Sequence, residues 1–346
     1  MRIEAREEVW PLKQTFRISR GSRTEARVVV VSVSDGAYVG RGECVPIRRY
    51  DQTIESVLAQ IEDIKTARLD RQSLHELLPP GAARNALDCA LWDLEAKRAG
   101  KRVWDLADFQ AHCSRRPLGD AHASPSEAAT NAWERDQVET AFTISLDSPE
   151  KMGSAAKAAA AMPILKLKLG GDDVDVARVE AVREAALKAR LLVDANESWS
   201  VEHYRNAAPA LNELGVELIE QPFPADRDDA LEQLEHPVPV CADESCHTTV
   251  DLPRLKKLYE MINVKLDKTG GLTEALRLCK HARDAGFKIL VGCMVGTSLG
   301  MAPARVLASS ADYVDLDGPL LLARDRDAGL IYEKGRVALP SSQLWG

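Results

Sequence analysis

Three acidic residues each follow a short apolar segment in the second half of the chain. Asp194 ends LLVD, Glu220 ends ELIE, and Asp243 follows VCA. Three carboxylates brought together would repel one another and lose hydration on burial, so a cation must hold them. Hard divalent ions take oxygen ligands, which favours Mg2+, with Mn2+ as the alternative. Each acid alone could cap a helix or lie in a solvated loop, but three in the same setting favour a metal site.

Two lysines in the segment ILKLKL are candidates for acid–base chemistry. Lys166 and Lys168 are two positions apart, so in a strand they point to one face and the leucines to the other. The leucines would pack against helices, which leaves the lysines facing the interior. We place Lys268 at the end of another strand, the sixth, roughly opposite the second. Lysines on opposite sides of a metal-bound substrate could move protons at either face of one carbon.

The segment from Gly296 to Gly300 fits the G-x-S-x-G nucleophile elbow of serine hydrolases. In that fold the catalytic histidine follows the serine, yet all seven histidines precede Ser298. The chain order therefore argues against a serine hydrolase. Glycine and serine here predict a tight turn with free backbone N–H groups at a helix start, which would suit a bound carboxylate.

These residues need a scaffold, and the spacing of the apolar segments indicates which one. From residue 141 onward, eight short apolar segments alternate with amphipathic segments of helical length. Polar residues near their ends recur every 23 to 26 positions, about the length of a strand, a helix and two loops. The pattern predicts βα units closing into a (β/α)8-type barrel, whose working residues lie at the carboxyl ends of the strands. A doubly wound sheet is the alternative, but no glycine-rich phosphate-binding motif follows any strand.

The N-terminal third has a different pattern. Residues 1–45 contain β-branched runs separated by turn signals and predict a small antiparallel meander. Helical periodicity follows around residues 54–61 and 86–94. We therefore predict an α+β capping domain at 1–112, a linker at 113–139, the barrel at 140–322 and a C-terminal segment at 323–346 that returns to the cap.

Composition excludes several classes of protein. The 346 residues carry 45 Lys and Arg against 53 Asp and Glu, a net charge of −8, so nucleic acid is not an expected partner. No apolar run approaches the roughly 20 residues that cross a bilayer, and the first residues lack a secretory signal. Seven scattered cysteines fit reduced thiols. We therefore expect a cytoplasmic protein that does not bind membranes.

Taken together, these motifs resemble the enolase superfamily, muconate-lactonising subgroup, and within it the dipeptide epimerases acting on L-Ala-D/L-Glu. The resemblance covers nearly the whole chain. The motifs that carry it are Lys-Leu-Lys (166–168), Asp-Ala-Asn (194–196), Glu-Gln-Pro (220–222), Asp-Glu-Ser (243–245), KLDKTGG (265–271), and, in the cap, GRGEC and GAARNALDCALWDLEAKR. It implies a modified (β/α)7β barrel whose mouth is covered by a loop of the cap.

The resemblance also implies a role for particular residues. Asp194, Glu220 and Asp243 would bind Mg2+, while Lys168 and Lys268 would be the two acid–base groups. Lys166 would help to bind the substrate carboxylate and favour the neutral form of its neighbour. The remaining implied substrate contacts are Asp315 and Asp317 for the α-ammonium group, Thr143, Cys293 and Val295 along the walls, and either Arg20 or Arg23 for the glutamate side chain.

The expected reaction is Mg2+-dependent epimerisation of L-Ala-D/L-Glu type dipeptides by two-base proton transfer through an enediolate. Other dipeptide specificities, or a lyase like muconate cycloisomerase or o-succinylbenzoate synthase, are the alternatives on the same fold. Asp315 and Asp317 favour a cationic substrate group over those anionic substrates. An inactive barrel would be expected to lack one lysine or one acid of the set, and none is missing. The sequence leaves homo-oligomerisation open.

Overall fold

A computed structural model describes residues 1–106 and 137–346. Most of the predicted linker at 113–139 therefore lies outside the described residues. Its last two residues, Val138–Glu139, form a short strand that pairs with Arg336–Val337, which in turn pairs with Tyr332–Glu333. The predicted domain boundaries remain predictions.

The cap, residues 1–106, contains the predicted antiparallel meander. Its strands are Arg2–Ile18, Gly21–Ser34 and Val39–Cys44. The helices are Ile54–Asp63, Arg71–Leu77, Ala82–Ala99 and Val103–Leu106, with a 3-10 turn at Arg48–Tyr50. The third strand packs so closely on helix Ala82–Ala99 that a Cβ at Gly42 would lie 2.1 Å from the Ala86 carbonyl oxygen, which explains the glycines of GRGEC.

The barrel contains all eight predicted strands in one parallel sheet. They are Ala141–Ile144, Ile164–Lys168, Arg190–Asp194, Val216–Glu220, Val240–Ala242, Met261–Val264, Lys288–Gly292 and Tyr313–Asp315, and they neighbour one another in chain order. The first and eighth come together where Thr143 N donates to Asp317 Oδ2 at 2.6 Å. The barrel prediction is confirmed.

Helices cover the outside of the sheet. The longer ones are Pro149–Ala158, Asp175–Ala185, Val201–Glu213, Leu272–Asp284 and Ser298–Ala308. Shorter helical segments are Asp228–Gln233, Thr249–Asp251, Leu252–Leu255, Leu266–Thr269 and Gly318–Leu321. Only Gly318–Leu321 follows the eighth strand before the chain leaves the barrel, so the architecture is the modified (β/α)7β form. The end of the chain reaches the cap, where Trp345 Nε1 donates to the Cys89 carbonyl at 3.0 Å.

Two apolar clusters fix the orientation of the sheet. Leu165, Leu167 and Leu169 pack outward among the helices. Inside, a layer at the amino end of the strands fills the barrel, and it includes Ile164, Leu192, Leu218, Met261 and Leu290. The interior is therefore closed at one end, and polar side chains gather at the other. Among the described residues, no helix combines the length and apolar character needed to cross a membrane.

Candidate active site

A cavity of about 990 Å3 lies between the carboxyl ends of the barrel strands and the cap. Ten of the thirteen residues expected at the site line it: Arg20, Arg23, Thr143, Lys166, Lys168, Asp243, Cys293, Val295, Asp315 and Asp317. Asp194, Glu220 and Lys268 lie outside that lining. The structure thus brings most of the predicted set to one place, beneath the hairpin turn that joins the first two cap strands.

The three predicted metal ligands converge at the base of this cavity. Asp194, Glu220 and Asp243 are buried and each offers a carboxylate oxygen within 4.8 Å of the others. Burial, reinforced by Asp194, raises the pKa of Glu220 to about 7. Glu220 Oε2 accepts no hydrogen bond, although it lies 2.6 Å from Lys166 Nζ. Three buried carboxylates with one oxygen left without a hydrogen bond fit a hard divalent cation such as Mg2+.

Lys166 and Lys168 point into the barrel, as the strand alternation predicts. Lys166 Nζ lies 2.8 Å from Asp315 Oδ2, and Lys168 Nζ lies 2.5 Å from Asp194 Oδ2. Burial disfavours an ionised Asp194, but Lys168 and Lys166 outweigh it and lower the pKa of Asp194 to about 2. The lysines of the second strand therefore neutralise one side of the cluster formed by the three carboxylates.

The lysines after the sixth strand occupy different positions from those expected. The strand ends at Val264, and Lys268 lies in the following helix, Leu266–Thr269, so its placement at the strand end is wrong. The side chain of Lys268 is fully buried, and its ammonium group donates to the Asp243 carboxylate, the Asp243 carbonyl and the Asn263 carbonyl. All three N–H bonds are thus engaged with protein acceptors.

Lys265, which sequence reasoning missed, reaches the cavity instead. It directly follows the sixth strand, lines the cavity, and lies 2.5 Å from Asp243 Oδ2. Burial opposes its charged form, but Asp243 and Glu220 more than offset this and raise the pKa of Lys265. The signal was present in KLDKTGG, where the residue nearest the strand is the first lysine of the motif.

Asp315 and Asp317 form an acidic pair opposite the cluster of three carboxylates. Asp317 Oδ2 accepts from Thr143 N, and Asp315 Oδ1 is buried without a hydrogen-bond partner. Burial, with the charge of Asp315 added, raises the pKa of Asp317 to about 7. A buried acidic pair with a free acceptor suits a cationic substrate group.

The two candidate arginines of the cap hairpin differ in their contacts. Arg20 donates to Glu244 Oε1 at 2.6 Å, to Glu197 Oε2 at 3.0 Å and to the Asn196 carbonyl. Arg23 is half-buried at the cavity wall, where burial lowers its pKa, and its side chain makes no ion pair or hydrogen bond with the described residues. Of these two arginines, Arg23 therefore has the guanidinium that is available to a substrate.

The helix start at Ser298 does not offer the free N–H groups that the sequence predicted. Thr297 N donates to Glu43 Oε1 at 2.7 Å, and Ser298 N donates to Asp325 Oδ1 at 3.0 Å. Carboxylates do bind at this turn, but they come from the cap and from the chain after the barrel. The turn therefore joins the two parts of the protein rather than binding a ligand.

Comparison with known proteins agrees with this geometry. Residues 1–107 match the family described as mandelate racemase / muconate lactonizing enzyme, N-terminal domain, and residues 151–343 match the family described as enolase C-terminal domain-like. The chain belongs to the enolase superfamily. The second match covers more than half of the chain and includes every barrel residue of the predicted site except Thr143.

Individual relatives within the superfamily are similar over nearly the whole length. The L-Ala-D/L-Glu epimerase of Escherichia coli is 42% identical over 97% of this chain and 99% of that protein. An N-acetyl-D-glutamate racemase from Pseudoalteromonas is also 42% identical, over 92% of this chain and 95% of that protein. These two relatives act on different substrates.

A solved structure extends the comparison. It is an enolase family member from Agrobacterium tumefaciens with homology to dipeptide epimerases, with bound sodium, L-Ala-L-Glu and an ordered loop. It is 47% identical, with a TM-score of 0.90, and the match covers 99% of both chains. The present protein and the Agrobacterium tumefaciens protein therefore share the cap, the barrel and the order of the two along the chain.

Proposed function

We propose that this protein is a Mg2+-dependent epimerase of L-Ala-D/L-Glu type dipeptides, inverting the α-carbon of the C-terminal residue. The observation that carries the proposal is the placement of Lys168 and Lys265. They extend from the second strand and from the end of the sixth, on opposite sides of the barrel, and both line the cavity. Amines on both sides of one substrate carbon are what inversion by proton transfer requires.

The α-proton beside a carboxylate is weakly acidic because its removal places a second negative charge on that group. When bound by Asp194, Glu220 and Asp243, Mg2+ would supply positive charge to offset it, as in the enolase superfamily generally. One lysine then accepts the α-proton, and the other delivers a proton to the opposite face. Lys268 holds Asp243 in place, since its three N–H bonds leave no proton for the substrate.

The substrate's two ends have complementary partners in the cavity. The acidic pair Asp315 and Asp317 would bind the α-ammonium group of the N-terminal residue. Arg23 would bind the side-chain carboxylate of the glutamate, because Arg20 is engaged by Glu197 and Glu244. Lys166 would bind the substrate's α-carboxylate, and Thr143, Cys293 and Val295 line the walls between these groups.

N-acetylglutamate is the second candidate substrate, because one 42% identical relative is a racemase of it. It shares the glutamate moiety but has no ammonium group. The acidic pair would then face a neutral amide, with no cation beside Asp315 Oδ1, which is buried without a hydrogen-bond partner. The pair therefore favours a dipeptide, and it disfavours the anionic substrates of cycloisomerases and o-succinylbenzoate synthases.

Proton NMR in D2O with Mg2+ tests the proposal. L-Ala-L-Glu and N-acetyl-L-glutamate are compared at equal concentration, and the glutamate α-proton signal is followed together with the appearance of the other isomer. We expect loss of that signal with formation of L-Ala-D-Glu, and slower or no exchange of N-acetylglutamate. Preferential turnover of N-acetylglutamate, or exchange of neither compound, would contradict the dipeptide assignment.

We also propose that the enzyme works in the cytoplasm. No disulfide joins the six cysteines among the described residues, and five of them are buried. Reduced cysteines are typical of cytosolic proteins. The test is to denature the protein isolated from its own cells and to count its thiols before and after treatment with a reducing agent. Equal counts would support a cytoplasmic location, whereas fewer thiols before reduction would argue against it.

A further inference from the structure

Helix Ala82–Ala99 of the cap carries polar side chains that are buried against the barrel. Arg84, Asn85 and Asp88 are each at most 4% exposed, although polar groups are costly to bury without partners. All three find partners on one barrel segment, residues 267–273. That segment begins two residues after Lys265 and ends in the first turn of helix Leu272–Asp284.

Asp267 is the first of these contacts. Its Oδ1 atom accepts from Asn85 Nδ2 at 2.8 Å and from the backbone N–H of Val45 at 3.0 Å. Val45 lines the active-site cavity, and Asp267 is two residues after Lys265. One buried carboxylate therefore ties the cap helix and the cavity wall to the turn that carries Lys265.

Arg84 and Asp88 fix the remainder of the segment. Arg84 donates to the Thr269 carbonyl at 2.7 Å and the Gly270 carbonyl at 3.2 Å, so it satisfies the end of the short helix. Asp88 accepts from the N–H and the hydroxyl of Thr273, at 2.9 and 2.6 Å. A Cβ at Gly271 would lie 2.5 Å from the Asp88 side chain, so the approach needs glycine here.

Lys168 has a different kind of support. It ends a strand that is paired with barrel strands on both sides, and its own position is in register with Asp194. Lys265 lies just beyond the sixth strand, where the chain turns into a short helix. The sheet thus holds one lysine, while contacts from the cap hold the backbone that follows the other.

We propose that helix Ala82–Ala99 is the positioning element for Lys265, acting through Asn85 and Asp267 and through Asp88 and Thr273. This inference rests on the proposed function, in which Lys168 and Lys265 serve opposite faces of the substrate carbon. Weakening the cap contacts therefore impairs proton transfer at the face served by Lys265 and spares the face served by Lys168.

Two reference variants assign the faces first. Each diastereomer, L-Ala-L-Glu or L-Ala-D-Glu, is incubated in D2O with Mg2+, and α-proton exchange and inversion are measured separately. Lys168→Ala and Lys265→Ala should each abolish inversion, and each should abolish exchange of a different diastereomer. If they affect the same diastereomer or neither, the proposed function fails.

Asn85→Ala then tests the positioning role. We expect inversion to fall by about 10-fold to 100-fold, as for a small misplacement of a catalytic group. Exchange should fall by the same factor for the diastereomer assigned to Lys265 and stay within about twofold for the other. Glu95→Gln, on the same helix but paired with Arg71 at the surface, is the matched control and should leave both rates unchanged.

A milder variant covers the case in which Asn85→Ala does not fold. Thr273→Val keeps the shape of the side chain and removes only the hydroxyl that Asp88 and Trp92 contact. It should show the same selectivity with a smaller loss. If the reference variants separate the faces but the folded cap variant slows both diastereomers alike, or slows neither, the positioning inference is wrong.

Discussion

Two pairs of lysines flank the cluster formed by Asp194, Glu220 and Asp243. The pairs differ in where their spacing places the two side chains. Lys166 and Lys168 lie two apart in a strand, and both point into the barrel. Lys265 and Lys268 lie three apart across a strand end and a helical turn, so one lines the cavity and the other lies behind Asp243. Similar spacing therefore places similar residues in different roles when the backbone conformation changes between them.

The comparison also separates available cations from engaged ones. Every N–H bond of Lys268 has a protein acceptor, and Arg20 is bound by two acids, whereas Arg23 makes no such contact with the described residues. Of the two cap arginines, the one already bound by acids contributes to stability and positioning. An unsatisfied one at a cavity wall is the better candidate for binding a substrate.

The largest expected effect is from replacing the second cavity lysine. Lys265→Ala should lower the rate of inversion by about 100-fold to 10,000-fold, which is the usual contribution of a general acid or base. Lys168→Ala should match it. The measurement is kcat for L-Ala-L-Glu by polarimetry or NMR. A larger loss in Lys268→Ala than in Lys265→Ala would reverse the roles given to the two residues.

Lys268→Met should act mainly on stability. It removes one of the two lysines that hold the pKa of buried Asp243 well below its ordinary value against the effect of burial. Breaking a buried ion pair costs about 3 kcal/mol or more in free energy of unfolding, which urea denaturation would detect. Magnesium should offset part of the loss. If stability is unchanged while kcat falls as in Lys265→Ala, Lys268 acts on the substrate.

The cap hairpin offers the same contrast among arginines. Arg23→Ala should raise KM for L-Ala-L-Glu by about 10-fold to 100-fold, since a hydrogen bond to a charged group contributes about 1.5 to 3 kcal/mol. It should leave KM for L-Ala-L-Ala, which lacks the side-chain carboxylate, nearly unchanged. Arg20→Ala should raise KM for both substrates to a similar extent. Equal effects of Arg23→Ala on the two dipeptides would remove it from the specificity site.

The smallest expected effect concerns pH and the segment after Lys265. Burial raises the pKa of Asp267 to about 7. Between its ordinary value and pH 7, the folded state retains a proton that the unfolded state has released, so the contribution of Asp267 to stability falls as pH rises. Asp267→Asn keeps an acceptor for Val45 and removes the charge. The Tm of the variant minus the Tm of the native protein should therefore be larger at pH 8 than at pH 5. A difference that does not change with pH would contradict this.

Much of the site was predictable from sequence because strand geometry is local. The alternation in ILKLKL determines which side chains point inward, and the regular recurrence of apolar segments places Asp194, Glu220 and Asp243 at successive strand ends. Those features follow from a period of two and from the parallel βα order. Lys268 was misplaced because the alternation of side chains does not determine where a strand ends. The sixth strand ends at Val264, four residues earlier than expected.

The sequence by itself determined the barrel, the cap, the three carboxylates and the inward pair Lys166 and Lys168. Only the tertiary structure decided between Lys265 and Lys268, and between Arg20 and Arg23, because each choice depends on acceptors contributed by distant parts of the chain. The same holds at the helix start near Ser298, where Thr297 N is bound by Glu43, 254 positions away. Local periodicity sets the direction of a side chain, but contacts from distant residues decide whether that side chain is free to act.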